Sequence, residues 1–169
     1  MKKNWTVKVF ILTFVLAIIF SLIANLLGNL NNIILIVCLF IIITIGIIFD
    51  LIGTAVLCAE EKVLHSKASQ KIYGAKSTIK LVKNASSVAS FCNDVVGDVC
   101  GIVSGSLATV IVMNLFKNGD LSFWNILLSS ILSSITVGGK AIGKKIGIKK
   151  SNEIIHLVGR FLAFCQKEK

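Results

Sequence analysis

Residues 33–58 read IILIVCLFIIITIGIIFDLIGTAVLC, an apolar stretch that contains a single charged residue, Asp50. About 20 consecutive apolar residues are enough for an α-helix to cross the hydrocarbon core of a bilayer. We therefore predict a transmembrane helix over 33–58. Residues 5–27 have the same character and predict an earlier span, with the polar residues 28–32 as a short hairpin link between the two.

The composition of the whole 169-residue chain agrees with a membrane protein. Hydrophobic residues make up 55% of the chain, charged residues only 15%, and the mean hydropathy is +0.88. Soluble domains carry about 25% charged residues, so a soluble enzyme domain is excluded. The net charge of +10 fits loops that face anionic lipid. No nucleic-acid-binding motif accompanies this charge, so we expect no nucleic-acid partner.

The five cysteines form no CxxC pair, and each lies within or beside an apolar stretch. We expect small buried thiols, with no disulfide framework and no zinc site. An enzyme is not expected either, because no histidine lies in a predicted span with a serine or cysteine nucleophile near it.

The rest of the chain alternates between basic and apolar segments. Residues 59–88 hold six lysines among apolar residues, which predicts one or two amphipathic helices along the membrane face, with a break at Gly74. We predict a third span over roughly 89–116 and a fourth over roughly 122–139. The tail, 140–166, is again basic and amphipathic. The expected fold is therefore all-α, with four transmembrane helices and amphipathic cytoplasmic helices.

The basic residues also predict the orientation in the membrane. When both termini and the 59–88 segment face the cytoplasm, 17 of the 18 Lys and Arg residues lie on that side, with Lys8 among them at the start of the first span, as the positive-inside rule requires. We expect a multi-pass protein of the cell (plasma) membrane, surrounded by the lipid bilayer, with both termini cytoplasmic.

Polar side chains inside the predicted spans indicate a cation site. Asp94 and Asp98 are four residues apart and share one helix face, and Asn93 borders that face. Asp50 is predicted to lie at a similar depth. Carboxylate and amide oxygens suit a hard cation such as Mg²⁺ or Na⁺, and ionisable groups within a membrane tend to be functional.

Two other interpretations of these acids stay open. An internal ion pair, with Lys140 or Lys144 at the end of the fourth span, would neutralise them without a bound ion. A shallower third helix would leave Asp94 in the headgroup zone of the bilayer. Each arrangement avoids an unpaired carboxylate in hydrocarbon.

Small residues recur in the third span and predict close helix packing. Gly97, Gly101 and Gly105 follow one another every four residues, a small-xxx-small pattern. The helix that packs against this stripe belongs either to the same chain or to a second copy. We expect a dimer through the stripe.

The fourth span is rich in hydroxyl groups, among them Ser129 and Ser133. These side chains either line an ion path or hydrogen-bond to neighbouring helices, and the second role is favoured. The glycine-rich end of the span, 138–143, predicts a helix break that exposes backbone carbonyls.

Several short motifs between residues 38 and 166 are arranged as in one transporter family. They are Phe49-Asp50-Leu51-Ile52-Gly53-Thr54-Ala55, Gly74-Ala75-Lys76, Phe91 through Gly97, Ser106-Leu107-Ala108-Thr109, Gly139-Lys140-Ala141-Ile142-Gly143-Lys144 and the tail from Asn152-Glu153 to Phe161-Leu162. In order and character they resemble the transmembrane domain of the CNNM / CorB–CorC magnesium transporter family. The first is similar to that family's Phe-Ser-x-Ser-Glu-Thr-Ala-type stretch, and the fifth to its Gly-Glu-x-x-Pro-Lys.

This resemblance implies a CNNM/CorC-like membrane domain over 33–169, with 1–32 as an extra N-terminal helix and link. It also implies a homodimer that binds dehydrated Mg²⁺ through serine, asparagine and glutamate oxygens. The sequence departs from the family at Ile52-Gly53, which replaces Ser-Glu, and at Lys140, which stands in place of a glutamate. A lysine there would repel a divalent ion or take its place as a tethered cation. The chain ends at Lys169, so we expect no regulatory CBS pair.

The expected function is divalent-cation transport of the CorB/CorC type, with Mg²⁺ as the transported or bound ion and no organic cofactor. Asp94 and Asp98 would be ligands, supported by Asp50 and Asn93. The alternative is a non-transporting membrane module that binds another membrane protein, with Lys140 filling the former cation site. A third interpretation is a monovalent-ion or proton carrier that uses the Asp94/Asp98 pair.

Overall fold

A computed structural model describes residues 3–26, 31–70, 72–115 and 121–165 of the chain. This part is almost entirely helical and contains no β-strand, as the predicted all-α class requires. Its elements in chain order are α1 (Lys3–Leu26), α2 (Asn32–Cys58), α3 (Glu61–Ser69), α4 (Ala75–Lys83), α5 (Ala85–Ser90), a π-helical segment (Phe91–Gly97), α6 (Asp98–Leu115), α7 (Leu121–Lys149) and α8 (Ser151–Cys165).

Three stretches of helix are long and apolar enough to cross a membrane. They are Asn32–Cys58, Ala85–Leu115 and Phe123–Lys149. The span predicted over 33–58 matches α2 to within one residue. The apolar stretch of α1, Val7–Ile23, is shorter than these three, so the extra first span stays a prediction. Most of the predicted hairpin link between the first two spans lies outside the described residues.

The chain divides into two compact units. Unit 1 comprises residues 1–47 and 94–139, and unit 2 comprises residues 48–93 and 140–169. In unit 1, α1 packs against α6. The buried core of unit 1 comes from α2 and α6, whose apolar residues recur every three or four positions: Leu35, Leu39, Ile43, Val99, Val103, Leu107, Ala108 and Ile111.

Unit 2 contains the short helices α3, α4 and α8, which pack against one another. Its core is formed by Ala55, Val56, Leu64, Val82, Ala89 and Ile155. Gly159 of α8 lies so close to Thr78 of α4 that a Cβ at this position would overlap the threonine side chain. The Asn152 side-chain oxygen accepts a hydrogen bond of 2.9 Å from the backbone N–H of Glu60, which ties the start of α3 to α8.

The predicted break in the basic 59–88 segment is confirmed. Gly74 separates α3 from α4 and adopts φ 84°, a left-handed conformation that favours glycine. Helices α3 and α4 therefore lie on either side of Gly74, and their amphipathic placement along the membrane face stays a prediction. A Cβ at position 74 would also overlap the backbone of Arg160, so glycine is required here by packing as well as by conformation.

The bounds of the later spans differ from the prediction. The third span begins at Ala85 rather than near residue 89, and the π-helical segment interrupts its α-helical geometry. The predicted break at the glycine-rich end of the fourth span is wrong, because α7 continues to Lys149. Each glycine weakens a helix by only about 1 kcal/mol relative to alanine, and packing offsets such a cost. The basic tail is thus divided between the end of α7 and α8.

The cysteines agree only in part with the prediction of buried thiols. None of the five forms a disulfide within the described residues, and Cys92 is buried. Cys58 and Cys165 are exposed, since they lie at the C-terminal ends of α2 and α8, where few neighbours cover them.

Candidate functional site

Among the described residues, Asp50 is the acidic residue that is buried. Only 3% of its surface is exposed, and it lies on α2, a helix long and apolar enough to cross a membrane. Its Oδ2 atom has no hydrogen-bond donor within the described part of the chain. A buried charge without partners is strongly unfavourable, so Asp50 in its ionised form requires a nearby cation.

The cation beside Asp50 is Lys144 of α7. The Lys144 Nζ lies 3.7 Å from Asp50 Oδ2, an ion pair that is longer than a hydrogen bond. The two side chains differ in environment, because that of Asp50 is 5% exposed and that of Lys144 is 53% exposed. The internal ion pair, one of the interpretations left open by the sequence, is therefore found for Asp50, with Lys144 as its partner.

Gly147 allows α7 to reach α2 at this point. A Cβ on Gly147 would lie 2.9 Å from the Leu51 carbonyl oxygen and 3.4 Å from the Thr54 Cβ. Because residues three apart share a helix face, the same contact positions Lys144 over the turn of α2 that carries Asp50. This use of glycine for close approach, rather than for a helix break, explains why α7 continues through its glycines.

Thr54 does not satisfy the buried carboxylate. Its hydroxyl donates a hydrogen bond of 2.9 Å to the backbone carbonyl of Asp50, four residues earlier in the same helix. Such back-bonding is common for threonine within helices. Because its only hydroxyl hydrogen is used on the main chain, Thr54 leaves the Asp50 carboxylate to other donors or to a cation.

Asn93 supplies a second buried oxygen to unit 2. Its Oδ1 is buried and has no hydrogen-bond donor in the described residues. The amide lies directly against Gly53, where a Cβ would overlap it. Since Gly53 is three residues after Asp50, the carboxylate and the region contacted by the amide lie on neighbouring turns of α2.

The backbone around Asn93 is π-helical, from Phe91 to Gly97. A π-helical segment inside a longer helix inserts residues relative to the α-helical repeat and is frequent at functional sites. In this helix the π-helical segment changes the direction in which the following side chains point, because the angle between successive residues differs from that of an α-helix. The position of Asn93 against Gly53 therefore depends on a local feature that hydrophobic periodicity does not predict.

These residues form the candidate site: Asp50, Asn93 and Lys144, with Gly53 and Gly147 providing close approach. A carboxylate and an amide oxygen, both buried and both without donors, are ligands suited to a hard cation. No group of three or more His, Cys, Asp or Glu side chains able to hold a metal ion occurs among the described residues. An ion at this site would thus depend on one carboxylate, the amide and water.

Asp94 and Asp98 lie in unit 1, whereas Asp50 and Asn93 lie in unit 2. Both of these aspartates are exposed. Their four-residue spacing predicts a common face of an α-helix, but spacing does not say whether a face is covered. Their role as ion ligands stays a prediction.

The glycine stripe presents an open face on α6. Gly97 is buried, whereas Gly101 and Gly105 are exposed. Within the part of the chain that the structure describes, no atom lies within 4 Å of a Cβ built on Gly101 or Gly105. These two glycines, together with Ser129 and Ser133 of α7, line a groove of about 170 Å³.

The hydroxyl groups of the fourth span bond within their own helix. Ser129, Ser130, Ser134 and Thr136 donate hydrogen bonds to carbonyl oxygens three or four residues earlier in α7. Their hydroxyl hydrogens are therefore donated within α7, and hydrogen bonding to neighbouring helices stays a prediction. The predicted role of Ser129 and Ser133 along an ion path stays a prediction.

Lys140 lies in unit 2, one turn before Lys144 on α7, and is partly buried. The sequence favoured Lys140 as the residue that replaces the cation, by position in the family motif. Lys144, one turn further along α7, lies 3.7 Å from Asp50. The role predicted for Lys140 stays a prediction.

Comparisons with known proteins place the chain in no family. No family model matches the sequence, no curated protein matches it, and no solved structure matches its fold. The resemblance to magnesium transporters therefore remains an inference from short motifs.

Proposed function

We propose that the protein is a membrane transport protein for a divalent cation, Mg²⁺, similar in kind to the CorB/CorC transporters. The observation that carries this proposal is the pair of buried oxygens without donors, Asp50 Oδ2 and Asn93 Oδ1. Both atoms belong to membrane-spanning helices, where an unsatisfied polar atom costs several kcal/mol. A cation bound at Asp50 would satisfy the carboxylate, and we propose that the Asn93 oxygen is its second ligand.

The small ligand set supports Mg²⁺ in particular. Mg²⁺ dehydrates reluctantly and is usually held by one or two carboxylates while it keeps several waters. Asp50 would supply the charge, and Asn93 a neutral oxygen. Soft metals such as zinc are disfavoured, since they prefer thiolate and imidazole ligands and the site contains neither.

Flux into proteoliposomes tests this function. The purified protein is reconstituted with a Mg²⁺-sensitive dye inside the vesicles, and Mg²⁺, Mn²⁺ or Na⁺ is added outside. We expect wild-type protein to carry Mg²⁺ and Asp50→Asn to abolish the flux, because the ligand charge is lost. Asp98→Asn is the matched control, an exposed aspartate in a span, and should retain flux. If Asp50→Asn retains flux and Asp98→Asn loses it, the ion ligand is on α6 and not on α2.

The proposal includes a homodimer with four spans per copy, both termini in the cytoplasm and residence in the plasma membrane. The open face at Gly101 and Gly105 supports the dimer, since small residues let a second helix approach closely. Crosslinking of Gly101→Cys in membranes should trap a dimer that Gly138→Cys does not.

A second candidate function is a non-transporting module that binds another membrane protein. The ion pair between Lys144 and Asp50 favours it, because a lysine already neutralises the buried carboxylate. In the flux assay this candidate predicts a folded protein that carries none of the three ions, with wild type and Asp50→Asn indistinguishable.

A further inference from the structure

Lys144 and Asp50 form an asymmetric ion pair. The carboxylate is fixed inside unit 2 with its side chain 5% exposed, whereas the lysine side chain is 53% exposed. A lysine has a flexible four-carbon stem and can move its ammonium group into water while its backbone stays in place. Of the two charges, the ammonium group is thus the one that can leave.

The pair is also incomplete. At 3.7 Å the Nζ is too far from Oδ2 to donate a hydrogen bond, and Oδ2 has no other donor in the described residues. Mg²⁺ binds a carboxylate oxygen at about 2.1 Å, a much closer contact. The buried oxygen is therefore better satisfied by a bound divalent ion than by the lysine.

The lysine and a divalent ion exclude each other at this oxygen. Two cations a few ångströms apart repel strongly where water is scarce. Gly147 holds α7 against the backbone of α2, so the helix itself has little freedom to withdraw. The Lys144 side chain is therefore the part that moves away from the bound ion.

We propose that Lys144 is a tethered counter-cation that competes with the incoming divalent ion for Asp50 and occupies the site whenever the ion is absent. This inference rests on the proposed function, because it takes Asp50 to be an ion ligand. It makes Lys144 a residue that sets cation affinity. It also removes the need for an unpaired buried carboxylate between transport events.

The first test uses the wild-type protein in detergent. Lysines are acetylated briefly with and without saturating Mg²⁺, and the modification of each lysine is measured by mass spectrometry. We expect Mg²⁺ to raise the labelling rate of Lys144 about threefold or more, since its amine is released into water. Lys145, the exposed neighbour on α7, is the internal control and should not change. Unchanged labelling of Lys144 in protein whose unfolding temperature responds to Mg²⁺ overturns the proposal.

The second test compares Lys144→Gln with the matched control Lys145→Gln, by the Mg²⁺ concentration that gives half of the maximal rise in unfolding temperature. Removal of the competitor should lower this concentration by about tenfold or more, and Lys145→Gln should leave it within about twofold. Lys144→Arg keeps the charge and should restore weak binding.

The outcomes separate this inference from the proposed function. Equal Mg²⁺ responses in wild type and Lys144→Gln, both abolished by Asp50→Asn, overturn the competition and leave the cation site intact. A response in Lys144→Gln alone supports the competition and overturns transport by the wild type. No response in any variant overturns the cation site and the inference together. If Lys144→Gln does not fold, the acetylation of Lys144 in the wild-type protein tests the proposal by itself.

Discussion

Asp50 in unit 2 and the Asp94/Asp98 pair in unit 1 are acidic groups with opposite environments, on helices long and apolar enough to cross a membrane. Asp50 is buried, faces Lys144 at 3.7 Å, and lies one turn from a glycine that the Asn93 amide contacts. Asp94 and Asp98 are exposed on their helix. The comparison teaches that the spacing of carboxylates alone does not mark a candidate site, whereas burial beside a counter-charge does.

The largest expected effect concerns the two halves of the ion pair. Lys144→Met leaves the Asp50 carboxylate buried without a counter-charge and should lower the free energy of unfolding by about 3 kcal/mol. Asp50→Asn leaves only a half-exposed lysine, which can reach water, and should cost less than about 1 kcal/mol. Equilibrium unfolding of both variants in the same detergent, without divalent ions, measures the difference. Equal costs would mean that Asp50 is hydrated rather than buried.

A smaller effect is expected at Gly53. Gly53→Ala places a methyl group where the Asn93 amide lies, so the amide must rotate away. The expected cost in stability is about 1 kcal/mol, because the clash involves the end of a flexible side chain. The half-saturating Mg²⁺ concentration in the thermal assay should rise by about tenfold.

Gly138→Ala is the control for that substitution. No atom of the described residues lies within 4 Å of a Cβ at position 138, so the change meets open space in the same kind of helix. Alanine is the better helix former, and stability should rise by up to about 1 kcal/mol. If Gly53→Ala and Gly138→Ala have the same half-saturating Mg²⁺ concentration, Asn93 is not a ligand of the ion.

The smallest effect on cation binding is expected at Asp98. Asp98→Asn should change the half-saturating Mg²⁺ concentration by less than about twofold, because the residue is exposed whereas the proposed ligand Asp50 is buried. Titration of the unfolding temperature with Mg²⁺ measures it. If Asp98→Asn abolishes the Mg²⁺-dependent rise in unfolding temperature as Asp50→Asn does, the two regions do not differ in cation binding.

Much of the fold follows from local sequence. The apolar run over 33–58 predicts α2 nearly to the residue, since only a helix of that length satisfies its backbone in a bilayer. Gly74 marks the boundary between α3 and α4 because a left-handed φ suits glycine. The extension of α7 to Lys149 does not follow, because the helix weakness of glycine is outweighed there by packing against α2.

Less of the candidate site follows from sequence, for reasons of geometry. Asp50 and Asn93 are both identifiable as polar residues in spans. Their burial cannot be predicted from the sequence, because it depends on the rotation of each helix. The π-helical segment at Phe91–Gly97 changes the angular spacing of its residues without any change in hydrophobic pattern. The pairing of Asp50 with Lys144 depends in the same way on the rotation of α7.

Thermal unfolding of the wild-type protein and of Asp50→Asn, each titrated with Mg²⁺, is the most direct test of the account. Its central claim is that the buried Asp50 carboxylate binds a divalent cation. A ligand present at 100 times its Kd stabilises the folded state by about 2.7 kcal/mol, which is readily measured. The account predicts a saturable rise in unfolding temperature with Mg²⁺ for wild type and none for Asp50→Asn. The same rise in both proteins, or none in either, would contradict it.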